Sequence, residues 1–185
     1  MIQRRRSQLR ALLLAAIVVS LGAPPARAAS REELERDANH ALKSLYANNS
    51  AARLLGENAK AILVFPHIVK AGFMFGGQIG DGVLKKGGRT VGYYNSLAAS
   101  YGFQAGLQVF GYALFFMNDA ALAYLDNSDG WEIGVGPSIV VVDKGVGKTL
   151  TSTTITQDVY AFIFDQKGLM AGIGIQGSKI TKISK

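Results

Sequence analysis

The sequence predicts an α+β domain, with N-terminal helices packed on a strongly curved, mostly antiparallel β-sheet or partly closed barrel. Three observations point there. Near the start, Leu34, Ala38, Ala41, Leu42 and Leu45 recur at three- and four-residue spacing, the period of a helix. From Ala61 onward, short apolar or alternating runs are separated by turn residues, as strands are. Glycine is abundant, 22 residues in 185, and is interleaved with aromatics, as in Gly72, Phe73, Phe75, Gly76 and Gly77. That mixture denies helix and suits a tightly bent sheet.

The first 28 residues stand apart. Arg4, Arg5, Arg6 and Arg10 precede an almost wholly apolar stretch, 11–23, and Ala26-Arg27-Ala28 closes the segment with small residues two apart. This is the order of a secretory signal cut after Ala28. An apolar core of about a dozen residues falls short of the roughly 20 that span a bilayer. Residues 1–28 are therefore assigned to a signal peptide and 29–185 to a single domain, exported to the periplasm or secreted and at most peripheral on a membrane. Five of the 20 basic residues lie in the signal (Arg4, Arg5, Arg6, Arg10, Arg27), which leaves 15 against 13 acidic ones. A net charge of +7 thus becomes +2, and a broad nucleic-acid footprint is not expected. The chain has no cysteine, so it offers neither a disulfide nor a lipidated N-terminal cysteine.

Ser30 and Glu33 have capping-box spacing ahead of a helix over 30–46. Asn48-Asn49-Ser50 then opens a second, shorter helix through Ala59. The first turns of the leading helix are acidic, which argues for packing on the sheet over lying on anionic lipid. Residues 61–65 form an apolar run that Pro66 is expected to stop, with a restart at 67–70. Gly87-Gly88 is the turn of a hairpin whose tip carries Lys85, Lys86 and Arg89. Over 101–109 the odd positions are apolar, while the even ones are Gly102, Gln104, Gly106 and Gln108. This is a strand with one apolar face and one small, polar face. Residues 110–117 are apolar on both faces, as in a central strand.

Asn118-Asp119 caps a short helix over 120–125. Residues 131–142 read as strand, with Gly134, Gly136 and Pro137 marking a bend or an edge, and 143–147 as a turn. Strand returns at 159–164, Asp165 to Gly168 reads as its turn, 169–176 alternates again, and 178–184 is a final strand with Lys179 and Lys182.

Reactive chemistry is thin. Gly172-x-Gly174-x-x-Gly177 matches a dinucleotide fingerprint, but the few residues after it cannot supply the helix, strand and ribose-binding acid required. Gly145-Val-Gly147-Lys148-Thr149 ends like a phosphate loop, yet Val142 stands where that loop needs its first glycine. His40 and His67 are the only histidines, and neither has a carboxylate at metal-ligand spacing. Lysines are the remaining chemistry. Lys60 and Lys70 bracket the first strand, Lys85, Lys86 and Arg89 crown the hairpin, and Lys179 and Lys182 lie on the last strand. Gathered on one face beside exposed aromatics, they would hold an anionic lipid head group.

Four segments carry a resemblance: AKAILVFPHIVKAGFMFGGQIGDGVL (59–84), GYYNSLAASYGFQAGLQ (92–108), DGWEIGVGPSIVVVDKG (129–145) and GLMAGIGIQGSKI (168–180). Together they strongly resemble the SYLF-domain family. The resemblance implies a lipid-binding module without catalytic activity. Its eukaryotic members bind phosphoinositides and some bind actin, while bacterial members look like exported single-domain proteins. Those eukaryotic relatives use a basic amphipathic N-terminal helix, whereas the segment here is acidic at its start. An exported, bacterial-looking protein also rarely meets phosphoinositides, so the lipid expected is a different acidic phospholipid, and actin binding is not carried over.

The expectation is non-enzymatic binding of acidic phospholipid, with no cofactor and no metal. Lys60, Lys70, Lys85, Lys86, Arg89, Lys179 and Lys182 are the candidate head-group contacts. The alternative is an envelope structural or protein-interaction module with incidental lipid affinity.

Overall fold

In a computed structural model, the described residues are 30–73, 75–101, 106–151, 153–168, 174–175 and 177–185. The signal assigned to 1–28, most of 101–105 and most of the alternation at 169–176 lie outside them.

Helix α1 spans Arg31–Asn48 and starts where its capping box dictates, with the Ser30 side chain accepting from the Glu33 amide and Glu33 reaching back to Ser30. Asn49 caps helix α2, Ser50–Asn58, by accepting from the Ala52 amide at 3.0 Å. Strands β1 (Ala61–Phe73), β2 (Phe75–Lys86), β3 (Arg89–Tyr101) and β4 (Gly106–Phe116) follow as an antiparallel series. Helix α3 spans Asp119–Asn127, with Asn118 as its cap. Short strands β5 (Trp131–Glu132) and β6 (Ile139–Val141), helix α4 (Lys144–Thr149), β7 (Val159–Gly168) and β8 (Lys179–Ile183) complete the chain.

All eight strands join one sheet in the order β5-β8-β3-β2-β1-β4-β7-β6, antiparallel except where β6 meets β7. The sheet curls into a half-barrel, and with the helices makes the α+β fold that periodicity predicts. Its two faces bury separate clusters. On the outer face, Leu34, Ala38, Ala41 and Leu45 of α1 and Ala51, Ala52 and Leu55 of α2 pack on Ile62, Val64, Val83, Ala113, Phe115 and Phe162. On the inner face, α3 and the segment around Trp131 close over Leu63, Phe65, Tyr94, Tyr112, Leu114 and Phe116. Gly82 leaves room on β2 for the Phe65 ring, since a Cβ there would lie 2.6 Å from it.

The structure departs from the sequence reading in four places. Pro66 does not stop β1. The strand runs through it, absorbing Pro66 and His67 in a bulge, because Phe65 pairs with Tyr112 but Ile68 with Phe110. Residues 131–142 are not one strand. Gly134 and Gly136 adopt φ of 108° and 87°, which breaks the ladder and leaves two short pieces. The turn expected at 143–147 is the start of α4. Asp165 to Gly168 continue β7, whose one extra residue bulges between the pairs Phe164–Gly111 and Lys167–Val109, with Asp165 at φ 51°.

Candidate functional site

Helix α1 lies across the outer face like a bar. Near its start, Arg31 stacks over the Tyr93 ring and Glu35 accepts from the Tyr93 hydroxyl, both at β3. In its middle, Asp37 meets His67 of the β1 bulge at 3.4 Å. Near its end, Ser44, Leu45 and Asn48 border a cleft with Ile163, Phe164 and Asp165 of β7. The hairpin side of the sheet lies under the helices. Beyond the bar, toward the β1–β2 turn, no described residue covers the outer face.

The bare face is apolar. Leu97 pairs with Ile79, Ile79 with Val69 and Val69 with Val109, so these four side chains stand in one cross-strand row. Leu97, Ile79 and Val69 are 54, 52 and 41 % exposed. One row further out, Leu107 opposite Ala71 is 57 % exposed, and Phe75 beside the turn is 71 % exposed. The row is closed at both ends by exposed lysines, Lys179 opposite Leu97 and Lys167 opposite Val109. Six strands at about 4.8 Å spacing make it roughly 24 Å wide.

The reverse of the same strands is polar and buried. Lys70 pairs with Gln78 on one side and Gln108 on the other, and all three are less than 8 % exposed. Gln78 donates to the Ser178 hydroxyl at 2.9 Å and to the Gly174 carbonyl at 3.4 Å. Gln108 Oε1 is buried without a hydrogen-bond partner among the described residues. This end of the sheet is inside out: apolar to solvent, polar to the interior. The bulge at Pro66 and His67 is the cause on β1. Ile62 and Val64 face the helices, and an unbroken strand would send Ile68 and Lys70 the same way. One extra residue sends Val69 out and Lys70 in.

The seven candidate cations do not share a face. Lys60, Lys86 and Arg89 are exposed at the hairpin end, about 23 Å from the apolar row for the seven residues between Lys86 and Ile79. Lys85 belongs to that end but is buried on the helix-covered face, 8 % exposed. Lys70 is buried inside the opposite end. Lys179 borders the apolar row, while Lys182, on the other face of β8, meets Asp126 at 3.6 Å and lies over the Tyr94 ring. The picture of seven solvated lysines on one surface is thereby replaced: two are buried, and the exposed five divide among three places.

A second cleft, of about 450 Å³, lies between Arg31, Glu35, Tyr93 and the chain from Lys182 to Lys185. Its charges are mutually engaged, Arg31 donating to the Lys185 carbonyl and Lys185 pairing with Asp81 at 2.7 Å. Burial pushes the Tyr46 hydroxyl up to about 12, and burial with the Asp126 carboxylate raises Tyr94 further. Both stay protonated donors. Among the described residues no three His, Asp or Glu side chains converge as a metal set would, and no helix is long and apolar enough to cross a membrane.

A family model described as Ysc84, Las17-binding protein actin regulator, matches residues 97–185. Over those residues, just under half of its length, the chain matches the SYLF-domain family. No curated protein matches it significantly. The matched part of this SYLF domain contains Leu97, Leu107, Gln108, Lys167 and Lys179. The partners of Leu97 across the sheet, Ile79 and Val69, lie before it. Sequence reasoning found Lys179 but missed Val69, Ile79, Leu97, Leu107 and Lys167. The alternation at 106–109 did show two unlike faces; which one turns outward depends on pairing that a single strand does not carry.

Proposed function

We propose that this SYLF domain is a non-enzymatic binder of acidic phospholipid surfaces, exported from the cell, and that the inside-out end of its sheet is the docking surface. The observation that carries the reading is the row Lys179–Leu97–Ile79–Val69–Val109–Lys167, with Leu107 and Phe75 beyond it. Apolar-out and polar-in is the arrangement of strands that face lipid, and contiguous exposed apolar patches mark sites of association. Flanking lysines add the charge that selects an anionic leaflet. Magnitudes order the two effects. Five roughly half-exposed apolar side chains, at about 1 kcal/mol each on burial, contribute about 5 kcal/mol, against about 2 kcal/mol for two lysines. Apolar contact holds the protein there, and charge chooses the membrane.

Vesicle flotation tests this. Recovery should be higher with anionic than with neutral vesicles by roughly thirtyfold in affinity, and should fall as salt rises. Neutralising Lys167 and Lys179 together should remove most of that difference. Neutralising Lys60, Lys86 and Arg89 should leave it intact, since they sit at the far end. Equal recovery on both vesicles, or loss only in the second variant, contradicts the proposal.

A further inference from the structure

We infer that the hairpin tip at the far end of the sheet, Lys60, Lys86 and Arg89, is a second contact for anionic phospholipid, so that one domain bridges two membranes. The inference rests on the docking surface proposed above for the first membrane and gives a use to three cations which that surface leaves idle. Lys86 and Arg89 pair directly across β2 and β3. Gly87 and Gly88 between them adopt φ of 56° and 78°, the left-handed pair of a tight hairpin turn. Lys60 stands two residues before the pair Ile62–Lys85, level with that turn. All three residues are exposed. Every salt bridge among the described residues lies elsewhere, with Arg36, His67, Lys182 or Lys185 as its cation. Like charges directly opposite on neighbouring strands destabilise a sheet, and an anionic partner would relieve that repulsion.

Shape selects the kind of anion. A Cβ added at Gly87 or Gly88 would meet nothing within 4 Å, so the tip protrudes and encloses no small ion. Three cations on one turn also fall short of a nucleic-acid stripe. A plane of many head groups suits such a tip.

Orientation turns the tip away from the first membrane. Helix α1 is a ridge about 10 Å thick on the outer face. Where Asp37 meets His67, that ridge stands about 7 Å, two residues, from Val69 of the apolar row. A bilayer cannot lie flat over both, so it meets the apolar end at a steep tilt. Lys86, about 23 Å along the strand from the row, is then raised roughly 15–20 Å, beyond the screening length of about 8 Å at physiological salt. Three cations enrich a protein at an anionic surface roughly a hundredfold, against about a hundred-thousandfold for the apolar row with its two lysines. The tip alone does not recruit the domain; many docked copies acting together hold a second bilayer.

Immobilised vesicles of phosphatidylcholine and phosphatidylglycerol, loaded with the purified protein and washed, test the bridge. They should capture fluorescent vesicles of the same composition but not vesicles of phosphatidylcholine alone, and capture should fall as salt rises. A triple variant, Lys60→Gln with Lys86→Gln and Arg89→Gln, should match or exceed the parent Tm and load equally, yet capture roughly tenfold fewer vesicles. Equal loading with no capture by the parent, or capture that persists in the triple variant, overturns the bridge; the second outcome would place the link between docked proteins. Capture of soluble dextran sulfate but not of vesicles, lost in the triple variant, also overturns it and gives the tip to a soluble polyanion. Failure of the parent to load on the immobilised vesicles would sink the docking surface, and the bridge with it.

Discussion

Asp158 joins three elements through one carboxylate. It accepts from the Ser138 amide and hydroxyl and from the Asn118 side chain, each at 2.8 Å. Asn118 caps α3, Ser138 leads into β6, and Asp158 itself precedes β7. These donors, the Ser138 backbone first, hold its carboxyl below the usual carboxylate range. A depressed carboxyl stabilises the fold above its unfolded pKa, and that stability is lost as pH falls through the folded value. Asp158→Asn should therefore lower Tm at neutral pH, and the gap from the parent should close in acid, below the ordinary carboxylate range. A gap independent of pH would contradict the role given to the ion. Packing makes a second claim at this scale. In Gly82→Ala the new methyl meets the Phe65 ring, which is fully buried with its centroid 4.6 Å from that of the tilted Tyr112 ring. The expected loss is about 1–3 kcal/mol, read as a lower denaturation midpoint with unchanged slope; an unchanged midpoint would show that the ring has room to yield.

The β1 bulge decides what each strand end does. Deleting His67 removes the one extra residue and leaves Phe65 and Ile68 two steps apart, as Tyr112 and Phe110 are, so Ile68 and Lys70 keep their inward faces and Val69 its outward one. The variant should keep a cooperative unfolding transition. Loss of hydrogen-exchange protection across β1 to β4 would contradict this. Much at this scale was legible in the chain. Ser30 and Glu33 announced α1, Asn118 announced α3, and Gly87-Gly88 announced the hairpin, because caps and turns are local chemistry. The sign of the faces was not legible. Leu107 and Gln108 alternate as an ordinary half-buried strand does, yet the apolar residue is the exposed one. Pairing across four strands and a bulge set that outcome, and the lysine at the far end of the row, Lys167, arrives there only through a second bulge in β7.

Taken whole, the molecule is a curled sheet with unequal ends. Helices cover the outer face at the hairpin end, where the core is apolar on both sides, and leave it bare at the other, where polarity is reversed. A fold that left this reversal without use would expose apolar rows and bury amides at a cost on both faces; the proposed contact with lipid would turn the first cost into attraction. The single tryptophan, Trp131, is 1 % exposed and gives a constant background for fluorescence. Leu107→Trp places a reporter on the proposed docking surface, and Val91→Trp places one at the hairpin end on an equally exposed position, 54 %. On anionic vesicles with brominated acyl chains, the reporter at 107 should shift to the blue and be quenched, while that at 91 keeps its emission. Quenching at 91 with none at 107, or at neither site while the protein floats with the vesicles, would contradict the assignment of the inside-out end to the membrane.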